Sequence, residues 1–354
     1  MKKMVQIILL AAAILTTISL IITYNRHTPL QEHQQPPTAL PVIIDTDLSL
    51  DDFVAILYLF QRKNVDILAI TVVNGVTHVT PGVENLQRLL FATNRQTIPI
   101  AGGRQTPLVG TNSFPQAWRL PIEQSMRAIL PNIPTPPVPM AAEDLIIEAV
   151  HRSKSPPTFL ALGPLTNLAL ALQKDPSLIH KIKTVVVCGG AISVIGTMHE
   201  EDPSQVNTVS EWNFFVDPYA AHIVFSSGIP IQLVPLDVTH IHGPRPVLFS
   251  TKLIHRFSTL AKTPSTQLMA KIMELWLTHY PQHGGSVPIW DLVAAIIAIE
   301  PNIAVDWKKV PIKIIQNPQW VAGQTVIGDT YDQKVEVCFA GDGKLFEKAL
   351  LEIL

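Results

Sequence analysis

The chain has 354 residues, 47% of them hydrophobic, which is enough apolar material for one large α/β domain and excludes disorder over most of its length. Lys and Arg total 26 against 28 Asp and Glu, so no excess of charge favours a polyanionic partner and nucleic-acid binding is set aside. The two cysteines, Cys188 and Cys338, sit in apolar runs and make neither a zinc cluster nor a disulfide framework.

At the N-terminus, Lys2 and Lys3 precede a run from Met4 to Thr23 whose only strongly polar member is Gln6, long enough to cross a bilayer as a helix. Such a segment predicts export, with the two lysines left on the cytoplasmic side. It ends Thr23-Tyr24-Asn25-Arg26 without a small-x-small cleavage site, so residues 1–24 read as an uncleaved signal anchor in preference to a removable signal peptide. Residues 25–41, with Gln31, Gln34, Gln35, Pro36 and Pro37, read as a polar linker. The expected location is extracytoplasmic, periplasmic or secreted, with membrane attachment through residues 4–23.

Beyond Pro41, strands and helices alternate. The predicted strands cover 42–45, 67–73, 98–101, 159–162, 184–188, 231–236, 311–315 and 335–339. The predicted helices cover 52–61, 83–93, 142–153, 165–173, 218–226, 266–278, 292–299 and 345–353. Between Phe114 and Pro139 prolines crowd together, among them Pro115, Pro121, Pro131 and Pro134, and this stretch reads as an irregular surface excursion. Several strands are apolar throughout, as a sheet covered on both sides requires. The expectation for residues 42–354 is a single α/β domain: an open, mostly parallel twisted sheet with helices on both faces and a Rossmann-like core.

Open α/β sheets bind ligands beyond the carboxyl edge of the strands. Here the first strand runs into Asp45-Thr-Asp47-Leu-Ser-Leu-Asp51-Asp52, the second into Asn74-Gly75, the fourth into Gly163-Pro-Leu-Thr166-Asn167, the fifth into Gly189-Gly190 and the sixth into Asp237. Four carboxylates so close in sequence repel one another unless a cation or shared protons compensate. Oxygen-only ligation, without a Cys/His pattern nearby, points to Ca²⁺ or Mg²⁺. Capping of the following helix would account for Asp51 and Asp52 but not for all four acids.

The segment from Val42 to Asp52 resembles the Asp-x-Asp-Pro-Gly-x-Asp-Asp motif of the inosine-uridine-type nucleoside hydrolases. Gly163-Pro-Leu-Thr166-Asn167 resembles that family's Gly-Pro-Leu-Thr-Asn segment, and Cys188-Gly-Gly-Ala191 its Met-Gly-Gly-Ala turn. The stretch Asn207…Glu211-Trp-Asn213…Asp217-Pro218 resembles its Asn…Glu-Phe/Trp-Asn…Asp-Pro pattern, and the order holds from about residue 42 to the C-terminus. The resemblance implies a Ca²⁺-dependent ribonucleoside hydrolase with ligands Asp47, Asp52, Asp291 and the backbone carbonyl of Thr166. It implies a general base at Asp47 or Asp51, acting on a water held by the ion, and ribose contacts from Glu211, Asn207 and Asn213. Asn74 is a further candidate sugar contact, although Val73-Asn74-Gly75 departs from the family's Gly-Asn order. Dimers or tetramers are implied as well.

Two departures concern the chemistry. Trp290 stands where many members have His before the last aspartate, so imidazole acid catalysis there is lost; the ring either stacks on a purine or packs in the core. Leu48-Ser49 replaces Pro-Gly, so that loop must be built differently. By sequence alone Asp291 could instead be an N-cap, Asn207 and Asn213 turn residues, and Thr166 a cap. His78, His199, His240, His242 and His283 read as solvated loop residues. Two other functions fit parts of the pattern: a haloacid dehalogenase-type phosphatase using Asp45 as nucleophile, and a tethered nucleoside-binding protein that has lost its chemistry.

Overall fold

Alternation along the first strand sets the layering. In the computed structural model, which describes residues 39–280, 284–328 and 333–354, β1 (Leu40–Thr46) sends Val42 and Ile44 into one apolar core and Ile43 into another. β1 starts at Leu40, inside the stretch expected to be linker. The apolar segment 4–23, the linker as far as residue 38, and His283 lie outside the described residues. No helix among the described residues is long and apolar enough to cross a membrane.

The remaining strands are β2 (Val65–Val72), β3 (Ile100–Gly102), β4 (Thr158–Ala161), β5 (Thr184–Cys188), β6 (Ile231–Val234), β7 (Phe249–Ser250), β8 (Ser286–Val287), β9 (Ala304–Ile314), β10 (Thr325–Ile327) and β11 (Lys334–Gly341). Nine of them form one sheet in the order β10-β9-β11-β6-β5-β4-β1-β2-β3, while β7 and β8 pair separately. From β3 to β11 the pairing is parallel; β9 then runs antiparallel to β11, and β10 antiparallel to β9. Ile44 of β1 faces Ile70 on one side and Leu160 on the other. The chain leaves β1 toward β2 and β3 and later continues from β4 on the opposite side, so the order reverses between β1 and β4, where such sheets open a crevice.

One face is covered by helices Leu50–Gln61, Pro264–His279 and Trp290–Ile299, the other by Ala142–Arg152, Thr166–Lys174 and Pro218–Ser226. Leu50 through Phe60 and Asp291 through Ala298 are buried all round, which explains why both sequences are almost uniformly apolar after their acidic first turns. Both cysteines are buried and free.

The proline-rich stretch departs from expectation. Gln116–Ile129 is a helix with Pro121 inside it, and of the stretch 114–139 only 114–115 and 130–139 are irregular. Its buried face carries Arg119 and Glu123 beside Met126, so charge interrupts the apolar repeat that would have marked it. The helices Trp212–Val216 and Thr251–Leu260, and strand β10, were likewise not anticipated. β9 begins well before 311 because its first half, with Asp306, Lys308 and Lys309, is partly solvated near the sheet edge.

Candidate active site

β1 delivers the first acids. Asp45 is buried in the strand and accepts from Thr71 Oγ1 at 2.6 Å and Asn167 Nδ2 at 2.8 Å. Just beyond the strand, Asp47 Oδ2 accepts the Val76 N–H at 2.7 Å. The turn that follows puts Leu48 in the left-handed region at φ 57°, where the family pattern has a proline that could not adopt that angle. Leu48 is buried, and this burial offsets roughly 1–2 kcal/mol of left-handed strain. The loop is therefore rebuilt, as the Leu48-Ser49 substitution predicted.

Helix Leu50–Gln61 has Ser49 as N-cap, which places Asp51 and Asp52 in the first turn. Asp52 accepts the Ser49 N–H at 2.8 Å and the Thr46 hydroxyl; Asp51 accepts the Ser49 hydroxyl. Capping is thus one duty of Asp52. Asp291, by contrast, is not the N-cap of its helix: Ile289 holds that position, and the Asp291 N–H donates to Asp51 Oδ2 at 3.3 Å.

Carboxylate oxygens of Asp51, Asp52 and Asp291 lie within 4.8 Å of one another. Burial, and then repulsion from Asp52, raises Asp47 and pushes Asp51 up to about 7. Burial also raises Asp52, and Asp291 is raised by burial and then by the charge of Asp51. Asp45 reaches about 7 by burial. Acids packed this way resist ionisation until positive charge arrives, and an all-oxygen donor set fits a hard divalent cation. The residues present therefore fit a metal.

The cluster forms one end of a cavity of about 550 Å³. Asp47, Asp51 and Asp291 line it, with Leu162 and Cys188 from the ends of β4 and β5. Glu211 and Asn213 lie on the same wall. Glu211 accepts the N–H groups of Gly190 at 3.0 Å, Asn213 at 2.7 Å and Phe214 at 3.2 Å, and burial still raises its carboxyl. Gly190, at φ 79°, supplies the left-handed turn that presents its N–H to Glu211. Asn213 Nδ2 donates to the carbonyls of Leu162 at 3.1 Å and Cys188 at 3.2 Å.

Aromatic rings form the cavity's sides. Trp290 meets Tyr280 edge-on at 4.9 Å and Trp276 at 5.5 Å. Elsewhere on the wall Trp212 stacks on Phe114 at 5.1 Å and meets Trp118 at 5.0 Å. Trp290 both lines the cavity and packs against the core.

Other expected residues sit elsewhere. Asn207 is committed to structure: its Nδ2 donates to Gln319 O and Ala322 O, and its Oδ1 accepts from Val209 N and Ser210 N. It is absent from the cavity lining. Thr166 is the first residue of its helix, turns its hydroxyl to Asp217 Oδ2 at 2.7 Å, and does not line the cavity; Leu162 is the residue of that segment that does. A Cβ at the adjoining Gly163 would come within 3.1 Å of the Asp47 backbone nitrogen, so this peptide abuts the acid loop. Asn74 is buried behind the wall, with Oδ1 accepting from Arg119. Asp45, the nucleophile of the phosphatase reading, does not line the cavity.

The histidines also need correction. His78 caps helix Val79–Ala92 and pairs with Glu123 at 2.7 Å, and His240 is buried with its ring parallel to Trp290 at 6.5 Å. His199 is exposed, as expected. Arg119, Trp118, Trp276 and Tyr280 were missed because none of them stands within a motif: the first three lie on helices and Tyr280 is the C-cap of one. A helical spacing of Trp276 and Tyr280 was the one available signal.

Residues 42–348 match the sequence pattern of the family described as inosine-uridine preferring nucleoside hydrolase. The pyrimidine-specific ribonucleoside hydrolase RihA of Escherichia coli strain K12 is 30% identical over 293 residues, covering 81% of this chain and 85% of its own. RihA of Salmonella arizonae is 33% identical over 248 residues, 68% of this chain and 73% of its own. Among solved structures, the inosine-uridine preferring nucleoside hydrolase of Bacillus anthracis superposes with a TM-score of 0.74 at 23% identity, over 89% of this chain and 98% of that one, a likeness of fold.

Proposed function

Because the chain belongs to the inosine-uridine preferring nucleoside hydrolase family, whose members hydrolyse ribonucleosides, we propose that its acid-lined cavity releases the base from a ribonucleoside by Ca²⁺-dependent hydrolysis. The observation that carries this reading is the convergence of Asp51 and Asp52 with Asp291, from helices far apart in sequence, beside a cavity that Asp47, Asp51, Asp291 and several aromatic rings line.

Asp47, Asp52 and Asp291 would hold the ion, with the Leu162 carbonyl in place of the Thr166 carbonyl implied by sequence, since Leu162 lines the cavity. When bound, Ca²⁺ supplies positive charge that keeps the surrounding carboxylates ionised and polarises water and sugar hydroxyls. Asp47 then serves as general base. Asp51 is the weaker choice because the Ser49 hydroxyl and the Asp291 N–H already occupy its carboxylate. Cleavage builds positive charge on the ribose, and the ionised acids stabilise it. Glu211 accepts from a ribose hydroxyl, and Asn213, its Nδ2 committed to two carbonyls, offers Oδ1 to another.

The leaving base lies against aromatic faces. Trp290 on one side and Trp118 or Trp212 on the other provide stacking that tolerates either base class. The RihA relatives are named pyrimidine-specific, so purine and pyrimidine nucleosides both belong in the test. Placement outside the cytoplasm rests on the sequence of residues 4–23, and assembly into a homo-oligomer rests on the family resemblance.

The experiment incubates the full chain with a panel of ribonucleosides, in Ca²⁺ or EDTA, and follows free base. Base release that EDTA abolishes is expected. Turnover indifferent to the chelator refutes the metal-dependent mechanism.

A further inference from the structure

A second cluster of donors lies at the rim of the same cavity, apart from the acids. Between β5 and helix Trp212–Val216, Thr197 and Glu200 line the cavity. The segment is tied down at both ends, where Asp237 takes the N–H groups of Ile192 and Ser193 and Asn207 donates to Gln319 O and Ala322 O, while Ile195, 66% exposed, and Val206, 74%, lie between these anchors. Across the rim the turn Leu236–Thr239 ends in His240-Ile241-His242. One atom from each of Glu200, His240 and His242 lies within 4.8 Å of the other two.

We propose that Glu200, His240 and His242 form a site for a borderline transition-metal ion of the Zn²⁺ type, which clamps that segment to the cavity rim. Two imidazole nitrogens and one carboxylate oxygen are a common zinc donor set with a fourth position open. The acids Asp47, Asp51, Asp52 and Asp291 offer oxygen alone and favour Ca²⁺, so the two sites differ in kind.

One donor pair already stands at a ligating separation, and His240 lies within 4.8 Å of both its members. With metal–ligand distances of about 2.0–2.1 Å, tetrahedral ligand atoms stand roughly 3.3 Å apart. His242 Nε2 and Glu200 Oε1 are 3.2 Å apart. His240 is buried with its ring parallel to that of Trp290, which fixes one ligand in place, whereas the Glu200 and His242 side chains are partly exposed and adjustable. Ligation joins the helix Met198–Glu201, between those anchors, to the turn that carries Thr239. Closing that join narrows the opening and slows exchange of nucleoside and products.

The test uses the full chain saturated with Ca²⁺ and titrates it with Co²⁺, whose four-coordinate complexes absorb intensely in the visible. Wild type is expected to take up a single equivalent with that absorption, and Zn²⁺ but not further Ca²⁺ to displace it. His242→Ala and Glu200→Gln should each weaken binding by at least about tenfold. Circular dichroism and the Ca²⁺-induced thermal shift confirm that both variants fold. Absence of the absorption in wild type, or unchanged binding in both variants, overturns the proposal. This readout needs no nucleoside, so it can fail or succeed independently of the hydrolase reading. Zn²⁺ should also slow base release by wild type more than by His242→Ala.

Discussion

The backbone N–H of Asp291 donates to Oδ2 of Asp51 at 3.3 Å across 240 positions of the chain. This bond joins the first turns of two buried helices and brings the acid from the later helix to the three that follow β1. Its consequence is a site assembled from elements that are each committed to the core.

Removing one acid should therefore abolish activity without unfolding the chain. For Asp52→Ala and Asp291→Ala, base release is expected to fall by at least about 10²-fold. Each buried acid costs stability where it repels its neighbours, so the metal-free variants should melt no lower than metal-free wild type apart from the cap that Asp52 supplies. Release assays paired with thermal melts check both statements, and retention of wild-type turnover in either variant would be the contrary result.

The acids also couple stability to pH. Asp45 and Asp51 sit at about 7 in the folded chain against an ordinary 3.8. Between these values the folded state holds protons that the unfolded state has released. Their contribution is therefore intact below the unfolded value and is lost as pH rises through the folded one. Under the proposed mechanism, bound Ca²⁺ would remove this loss by favouring the ionised forms. The difference in Tm between Ca²⁺ and EDTA should be larger at pH of about 7 than at about 5; an equal difference at both would contradict the coupling.

Gly75 guards the position of Asp47. A Cβ there would stand 2.0 Å from Asp47 Oδ2, so Gly75→Ala must displace that carboxylate. Displacement by about 1 Å is enough to cost roughly 10²-fold in kcat. Steady-state assays should show this with little change in Tm.

Trp290 tests how the base is held. Trp290→Ala removes a stacking face of roughly 0.5–1.5 kcal/mol, which raises KM by up to about tenfold while kcat changes less. A loss confined to kcat would show that the ring serves the departing base in the transition state instead.

Arg119 supports the wall from behind. It donates to Asn74 Oδ1 and to Thr77 O at 3.1 Å, and burial lowers its own pKa. Arg119→Met strands two buried acceptors, at about 1–3 kcal/mol, and a chemical denaturation series should show that loss.

The sequence alone determined much here because two local rules were obeyed. Buried parallel strands need continuous apolar runs, so 184–188 coincides with β5 and most neighbours fall within a few residues of expectation. Acids crowded after β1 repel one another unless a cation or shared protons compensate, so Asp47, Asp51 and Asp52 stand out from the sequence alone. Helix Gln116–Ile129 escaped because its buried face carries Arg119 and Glu123 and its outline is blurred by Pro121.

Tertiary structure decided which polar residues reach the cavity. Asn207 and Asn213 stand in one sequence motif, yet one braces the Gln319–Val321 turn while the other lines the wall. Leu162 and not Thr166 is the residue of its segment that lines the cavity, and His240 is buried with its ring parallel to that of Trp290. A side chain's hydrogen-bond partners come from segments a hundred or more residues away, and only packing of the whole chain fixes which donors and acceptors remain unspent.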